Sequence, residues 1–180
     1  MKYLTPELYL RLQLSGQVEM DAADAASDKA VQRYDRRLKA IWTALPRSLR
    51  LLLKKVYLHD AEVLSMGKHN HTFVIAVKLD EPPQKLVTIT YTLKAEPKID
   101  QNALPTEHRS PRVQWMHDEV ELVCRKHKKH FTHAILFSNG WEVQLSFLEV
   151  RVAVTQRLLP LAHPSTLQPS LTPSGLLQPA

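Results

Sequence analysis

Nine histidines are spread through 180 residues, and the informative ones stand beside carboxylates. The densest group is His59-Asp60-Ala61-Glu62, with His69 and His71 a few residues on. Imidazole nitrogen and carboxylate oxygen together suit zinc or iron, so His59, Asp60 and Glu62 are the candidate metal ligands. On an extended chain Asp60 and Glu62 share a face, whereas His59 and Glu62, an odd number apart, point to opposite faces. No HExxH is present, and His69-Asn70-His71 falls where a hairpin turn is expected. The plainer reading has His59 or Asp60 bonding backbone groups where helices hand over to sheet.

A second polar knot, His117-Asp118-Glu119, follows Trp115 at the end of a stretch that also carries Arg109 and Arg112. With His133, the residues Arg109, Trp115, His117 and Asp118 are candidates for a binding pocket. Paired carboxylates act as general acid and base only where their surroundings separate their proton affinities. The plainer reading is a loop whose tryptophan covers the sheet edge while its charges are solvated. Cys124 beside His127, His130 and His133 suggests a thiol–imidazole pair. Cys124 alternates with Val120 and Leu122, however, and is expected to face inward as an inert thiol. Four glycines leave no phosphate-cradling loop, and no GxSxG is present. The run Arg125-Lys126-His127-Lys128-Lys129-His130 offers Arg125, Lys126, Lys128 and Lys129 to phosphates. Sheets that bind nucleic acid add exposed aromatics, and here the strand aromatics fall on core faces. The run reads as a solvated linker, and nucleic acid is the disfavoured partner. No cofactor is indicated.

The elements that position these groups follow from period and punctuation. Thr5-Pro6-Glu7 starts a helix expected from Pro6 to about Leu14, ending at Ser15-Gly16. A longer helix is expected from about Gln17 to Ala44, with Val31, Tyr34, Leu38, Ile41, Trp42 and Leu45 as its apolar stripe. Pro46 breaks it. A third helix carries Leu49, Leu52, Leu53, Val56 and Tyr57 on one side. From Leu58 the period becomes two: strands are expected over Ala61–Met66, Thr72–Leu79, Lys85–Lys94 and Glu119–Cys124, with a turn over Gly67–His71 and the Thr-rich side of the third strand toward water. Residues 95–116, with three prolines, form a long connection of the functional or mobile kind.

Phe131 to Phe147 is the strongest local signal. Asn139-Gly140 between two apolar runs predicts a hairpin with a two-residue type I′ turn. Phe131, His133, Ile135 and Phe137 share one face, and Ala134 and Leu136 make the other face apolar too. The hairpin is expected at the centre of the sheet, its second strand running as far as Val154. His133 is its one ionisable residue on a core face, where a buried hydrogen bond should first be sought.

At this length one domain with a substantial core is expected: 1–57 helical, 58–155 antiparallel sheet, and 156–180 a Pro-rich disordered tail. The fold class is α+β, with three N-terminal helices packed on one face of an antiparallel sheet of about six strands. Net charge +6 permits an acidic partner without requiring one. A single cysteine fits a reducing compartment, and no apolar run reaches membrane-spanning length; a cytoplasmic, bacterial setting is expected, with no membrane partner.

The opening Met1-Lys2-Tyr3-Leu4-Thr5-Pro6-Glu7-Leu8-Tyr9 resembles that of an uncharacterised bacterial family of unknown function, whose members begin Tyr-Phe-Thr and continue into a helical third. The segments Leu58-His59-Asp60-Ala61-Glu62-Val63-Leu64-Ser65 and Phe131-Thr132-His133 through Ser138-Asn139-Gly140-Trp141-Glu142 resemble the same family, so the similarity spans most of residues 1–152. The family has no assigned activity, and the resemblance implies no catalytic residue. Leu-His-Asp-Ala-Glu is also similar to a strand opening of small bacterial immunity-type proteins that bind toxins. The leading expectation is a non-enzymatic binding or interaction module with another protein as partner, possible immunity-like roles included. The alternatives are a metal-dependent enzyme using the His/Asp/Glu cluster and a basic nucleic-acid-binding domain.

Overall fold

In the computed structural model, which describes residues 1–13, 17–80, 82, 85–125 and 128–156, the first helix is capped as its sequence dictates. The Thr5 hydroxyl accepts from the Leu8 amide at 3.3 Å and Pro6 takes the first helical position of α1 (Pro6–Arg11). The expected end at Leu14 to Gly16 lies outside the described residues. Helix α2 (Gln17–Ile41) runs into a 3₁₀ turn, Trp42–Ala44, and α3 (Arg47–Lys55) starts after Pro46. Ala23, Ala30, Tyr34 and Ile41 form the buried stripe of α2. Val31, expected on that stripe, is 41% exposed, because one residue past Ala30 turns it about 100° around the axis. Tyr57, expected beside Leu49 and Leu52, is 59% exposed. The helix has ended at Lys55 and Val56 is extended, so helical spacing no longer places Tyr57.

The rest of the chain is antiparallel sheet: β1 (Glu62–His69), β2 (Thr72–Lys78), β3 (Lys85–Leu93), β4 (Lys98–Asp100), β5 (Trp115–Arg125), β6 (Lys128–Phe137) and β7 (Glu142–Gln156). The order is β1-β2-β3-β7-β6-β5, and short β4, an addition to the six expected, pairs with the start of β7 beyond β3. The sheet curls until its outer strands meet at one end. There Trp115 N donates to Ala61 O at 3.0 Å, Asp60 N to Trp115 O at 2.9 Å, and Val63 N to Val113 O at 2.8 Å. Leu49 and Leu52 of α3 join Ile75, Ile89, Val120, Ile135 and Leu145 in one core.

The helices divide their contacts: α3 meets β7, α2 meets β5, and α1 meets α2. Outer strand β5 is partly covered by α2, since the Tyr34 hydroxyl accepts from the Val120 amide at 2.8 Å and Arg37 pairs with Glu121 at 2.8 Å. Glu119, itself buried, accepts from three successive amides, those of Lys2, Tyr3 and Leu4. That carboxylate ties the segment ahead of α1 to the sheet. Among the described residues no helix is long and apolar enough to cross a membrane.

Several strand limits differ from expectation. β1 continues through Gly67 to His69, and the turn shrinks to Asn70-His71, with Asn70 in the left-handed region at φ 52°, which asparagine tolerates. β5 begins at Trp115 rather than Glu119, and the expected basic linker is instead the far end of the β5–β6 hairpin, closed by the pair Arg125–Lys128. β7 reaches Gln156; the tail from 157 to 180 lies outside the described residues.

The β6–β7 hairpin occupies the middle of the sheet, with His133, Ile135, Phe137, Val143, Leu145 and Phe147 buried on one face and Ala134 and Leu136 on the other. Its turn is a three-residue connection, not the two-residue type I′ form. Gly140 alone takes positive φ there, 84°, and its amide donates to Phe137 O at 3.0 Å. A type I turn followed by a left-handed glycine is the three-residue solution for such a loop. The long 95–114 connection is clasped to this tip. Arg109 donates to Leu104 O at 2.8 Å and to Asn102 at 3.1 Å, and its side chain crosses Gly140 so closely that a Cβ there would sit 2.7 Å from Nε. Ser138, also buried, donates to Arg112 O and accepts from the Gln114 amide. Gly140→Ala therefore meets positive φ and a steric clash together. A destabilisation of about 1–3 kcal/mol is expected, read as a lowered denaturant midpoint; an unchanged midpoint would remove the Arg109 clasp from this account.

Candidate functional site

The site begins with one extra residue in β5. Trp115 pairs with Phe137, but His117 pairs with Leu136, so β5 advances two residues while β6 advances one. This bulge turns Trp115 and Asp118 to the same side, although regular alternation would place them on opposite faces. From His117 onward the register is regular, with Asp118 opposite Ile135 and Val120 opposite His133. Asp118 and His133 are thus diagonal neighbours on the inner face.

There they form a chain of hydrogen bonds. The Tyr91 hydroxyl and His133 Nδ1 are 2.8 Å apart, His133 Nε2 and Asp118 Oδ2 2.9 Å, and Trp115 Nε1 donates to Asp118 Oδ1 at 2.9 Å. Tyr91, His133 and Trp115 are fully buried, while the Asp118 side chain keeps 22% of its surface open. Burial by itself raises the Asp118 pKa, but the hydrogen bond and charge of His133, the Trp115 donor and the nearby His117 outweigh it, and the net shift is downward. The carboxyl is therefore ionised and His133 Nε2 carries the hydrogen. Burial first, and the Asp118 charge second, push the Tyr91 pKa well above its ordinary value, so the phenol keeps its proton while it shares a hydrogen bond with Nδ1. Every polar group in the chain is satisfied.

A His–Asp pair of this kind orients imidazole in many hydrolases, but here its other nitrogen meets a buried phenol instead of an accessible nucleophile. The only member that reaches solvent is Asp118, at a cleft of about 200 Å³ lined by Leu52, Leu53, Val56, Tyr57, Leu58 and His59. A row of rings leads away from the cleft: Tyr57 lies edge-on to His59 at 6.1 Å, His59 stacks on His117 at 5.8 Å, and His117 meets Tyr9 of α1 edge-on at 5.9 Å. His59 Nδ1 donates to Met116 O at 2.6 Å, and its Nε2 faces Asp60 Oδ2 at 3.6 Å. Burial first, then the neighbouring His59, lower the His117 pKa against the pull of Asp118 and Asp60.

The anticipated groupings are redistributed. His59 and Asp60 stay close, but Asp60 precedes β1 in a left-handed turn at φ 64° and shares no strand face with Glu62. Glu62 turns to Lys78 at 3.3 Å and Arg112 at 3.9 Å. Among the described residues no group of three His, Cys, Asp or Glu side chains is placed to hold a metal ion. Of the five expected pocket residues, Trp115, Asp118 and His133 meet directly, His117 adjoins them through the ring stack, and Arg109 is taken by the Gly140 clasp. Trp115 is in the core, not over the sheet edge. Cys124 is exposed, correcting its expected inward position: Val120 is buried and Leu122 only half-buried, so cover fades toward the far end of the hairpin. In the basic run, Lys129 is exposed and Lys126 lies outside the described residues. Tyr91 was not anticipated, although a phenol in the apolar row Val87-Ile89-Tyr91 has to find a partner.

Two variants test the chain. His133→Ala leaves the Tyr91 hydroxyl unpaired and opens a cavity, with an expected loss of about 3 kcal/mol in chemical denaturation; a loss below about 1 kcal/mol would contradict the bonded geometry. For Asp118 the folded pKa lies below the unfolded value of 3.8, so the unfolded chain takes the proton more readily. Its contribution is present above 3.8 and lost as pH falls through the lower folded value. Asp118→Asn is expected to be less stable at neutral pH and to show a flatter decline below pH 4 or so; an acid limb parallel to that of the wild type would refute the assignment.

A scan against protein-family models finds no match for this chain, and a search of the curated proteins finds none either.

Proposed function

We propose that this chain is a non-enzymatic binding module whose cleft beside α3 takes a partner group bearing a hydrogen-bond-donating cation on an apolar stem. The observation that supports this reading best is the Asp118 carboxylate, held by Trp115 and His133 at the cleft floor with part of its surface open. A carboxylate accepting two fixed donors retains lone pairs for a third and fourth, and its orientation costs nothing on binding because it is already set. Leu52, Leu53 and Val56 provide apolar contact, and exposed Tyr57 offers a ring face to a cation. A lysine or arginine side chain on another protein has this chemistry, which accords with an immunity-like role in a bacterial cytosol.

Matched probes test it. In titrations followed by amide NMR, benzylammonium is expected to shift resonances of Tyr57, His59 and Asp118, and benzoate to leave them in place. Asp118→Asn is expected to weaken the benzylammonium response at least ~10-fold, the cost of removing a charged hydrogen-bond acceptor. Equal responses to both probes, or none to either, would reject the reading.

A further inference from the structure

The outward face of α3 carries a second surface, independent of the cleft. From Arg36 to His59 the sequence has seven lysines and arginines and no carboxylate. Four of the seven, Arg47, Arg50, Lys54 and Lys55, stand on α3. Leu49 and Leu52 hold one side of this helix in the core, so helical spacing turns Arg47, Leu51, Lys54 and Lys55 outward, and all four are exposed. Leu51 keeps 49% of its surface open. Of the four positions that flank it one turn away, three are Arg47, Lys54 and Lys55, and the fourth is Ser48. Among the described residues none of the four cations of α3 forms an ion pair, and Arg50 Nε is buried without an acceptor.

The helix itself does not require this charge. Lys54 and Lys55 complement the negative end of its dipole, but Arg47 is its first residue, where a cation is unfavourable. Like charges three and four residues apart, Arg47 with Arg50 and Arg50 with Lys54, also repel. The charge suits an anionic partner that neutralises it, and the leucine at its centre narrows the choice. A phosphodiester backbone would meet the cations and leave Leu51 without apolar contact. An acidic protein would have to set carboxylates around an apolar socket. An anionic bilayer supplies both without preset geometry: charged headgroups for the ring of cations, and acyl chains just beneath for a side chain that enters between them. A helix lying on such a surface need not be long or apolar enough to cross it.

We propose that the outward face of α3 docks on an anionic phospholipid surface, with Arg47, Arg50, Lys54 and Lys55 meeting the headgroups and Leu51 entering between them. Each cation held near such a surface strengthens binding about 5-fold, so four give a reversible, salt-sensitive attachment.

The full chain is sedimented with vesicles of phosphatidylcholine alone and of an equal mixture of phosphatidylcholine and phosphatidylserine. Binding to the mixed vesicles only is expected, weakening as salt is raised. Arg47→Glu combined with Lys54→Glu is expected to weaken it at least ~20-fold. Lys29→Glu combined with Lys98→Glu changes the net charge equally, at exposed positions of α2 and β4, and is expected to cost far less. Leu51→Gln keeps both the charge and a good helix former, and is expected to weaken binding ~3-fold or more through lost apolar contact. Equal losses in the two double variants would show attraction by net charge alone and overturn the proposal. So would undiminished binding by Leu51→Gln, tighter binding of duplex DNA or polyglutamate than of the mixed vesicles at equal anionic charge, or no vesicle binding at all.

Discussion

An imidazole buried in an apolar core must have partners for both nitrogens, and the arrangement of this sheet follows from meeting that demand at His133. Its fully buried ring lies against those of Tyr91 and Trp115, at 5.8 and 5.7 Å, where an unpaired polar group costs several kcal/mol or so. Tyr91 comes from β3 and Asp118 from β5, on either side of the β6–β7 pair. Both reach the same ring on the inner face of a sheet whose curl brings the starts of β1 and β5 into hydrogen-bonding contact. The polar chain and the sheet curvature are therefore parts of one arrangement.

The bulge at Met116 is the local device that makes this possible. With one extra residue in β5, Trp115 fills the core and still reaches Asp118. The same carboxylate then faces inward to two donors and outward to the cleft. Proton affinities agree with the geometry, as Asp118 is held ionised and Tyr91 protonated. A carboxylate in this state is suited to holding a positive group, and a phenol in this state is suited to filling the core.

Around this centre the remaining polar residues act as fasteners. Glu119 gathers the amides of Lys2, Tyr3 and Leu4, Ser138 joins the long connection to the hairpin, and Arg109 lies across Gly140. Each pairs with backbone groups at part-buried positions. They explain why the 95–114 stretch, rich in proline and poor in period, follows a defined path over the sheet.

The sequence by itself determined the α+β class, the three helices, the antiparallel strands and the central place of the Phe131–Phe147 hairpin. Those properties depend on local periods, caps and turn residues, each acting within a few positions. It also marked His133 as a polar residue on a core face. The bulge was not legible, because an extra residue in one strand is defined only by the partner it opposes, and without it Trp115 and Asp118 are assigned to opposite faces. The meeting of Tyr91 with His133, separated by 42 residues, depends on strand order and curl, which no local pattern encodes. The same holds for the exposure of Cys124: alternation gives its face, but only the tertiary structure decides how far along the strand that face remains covered.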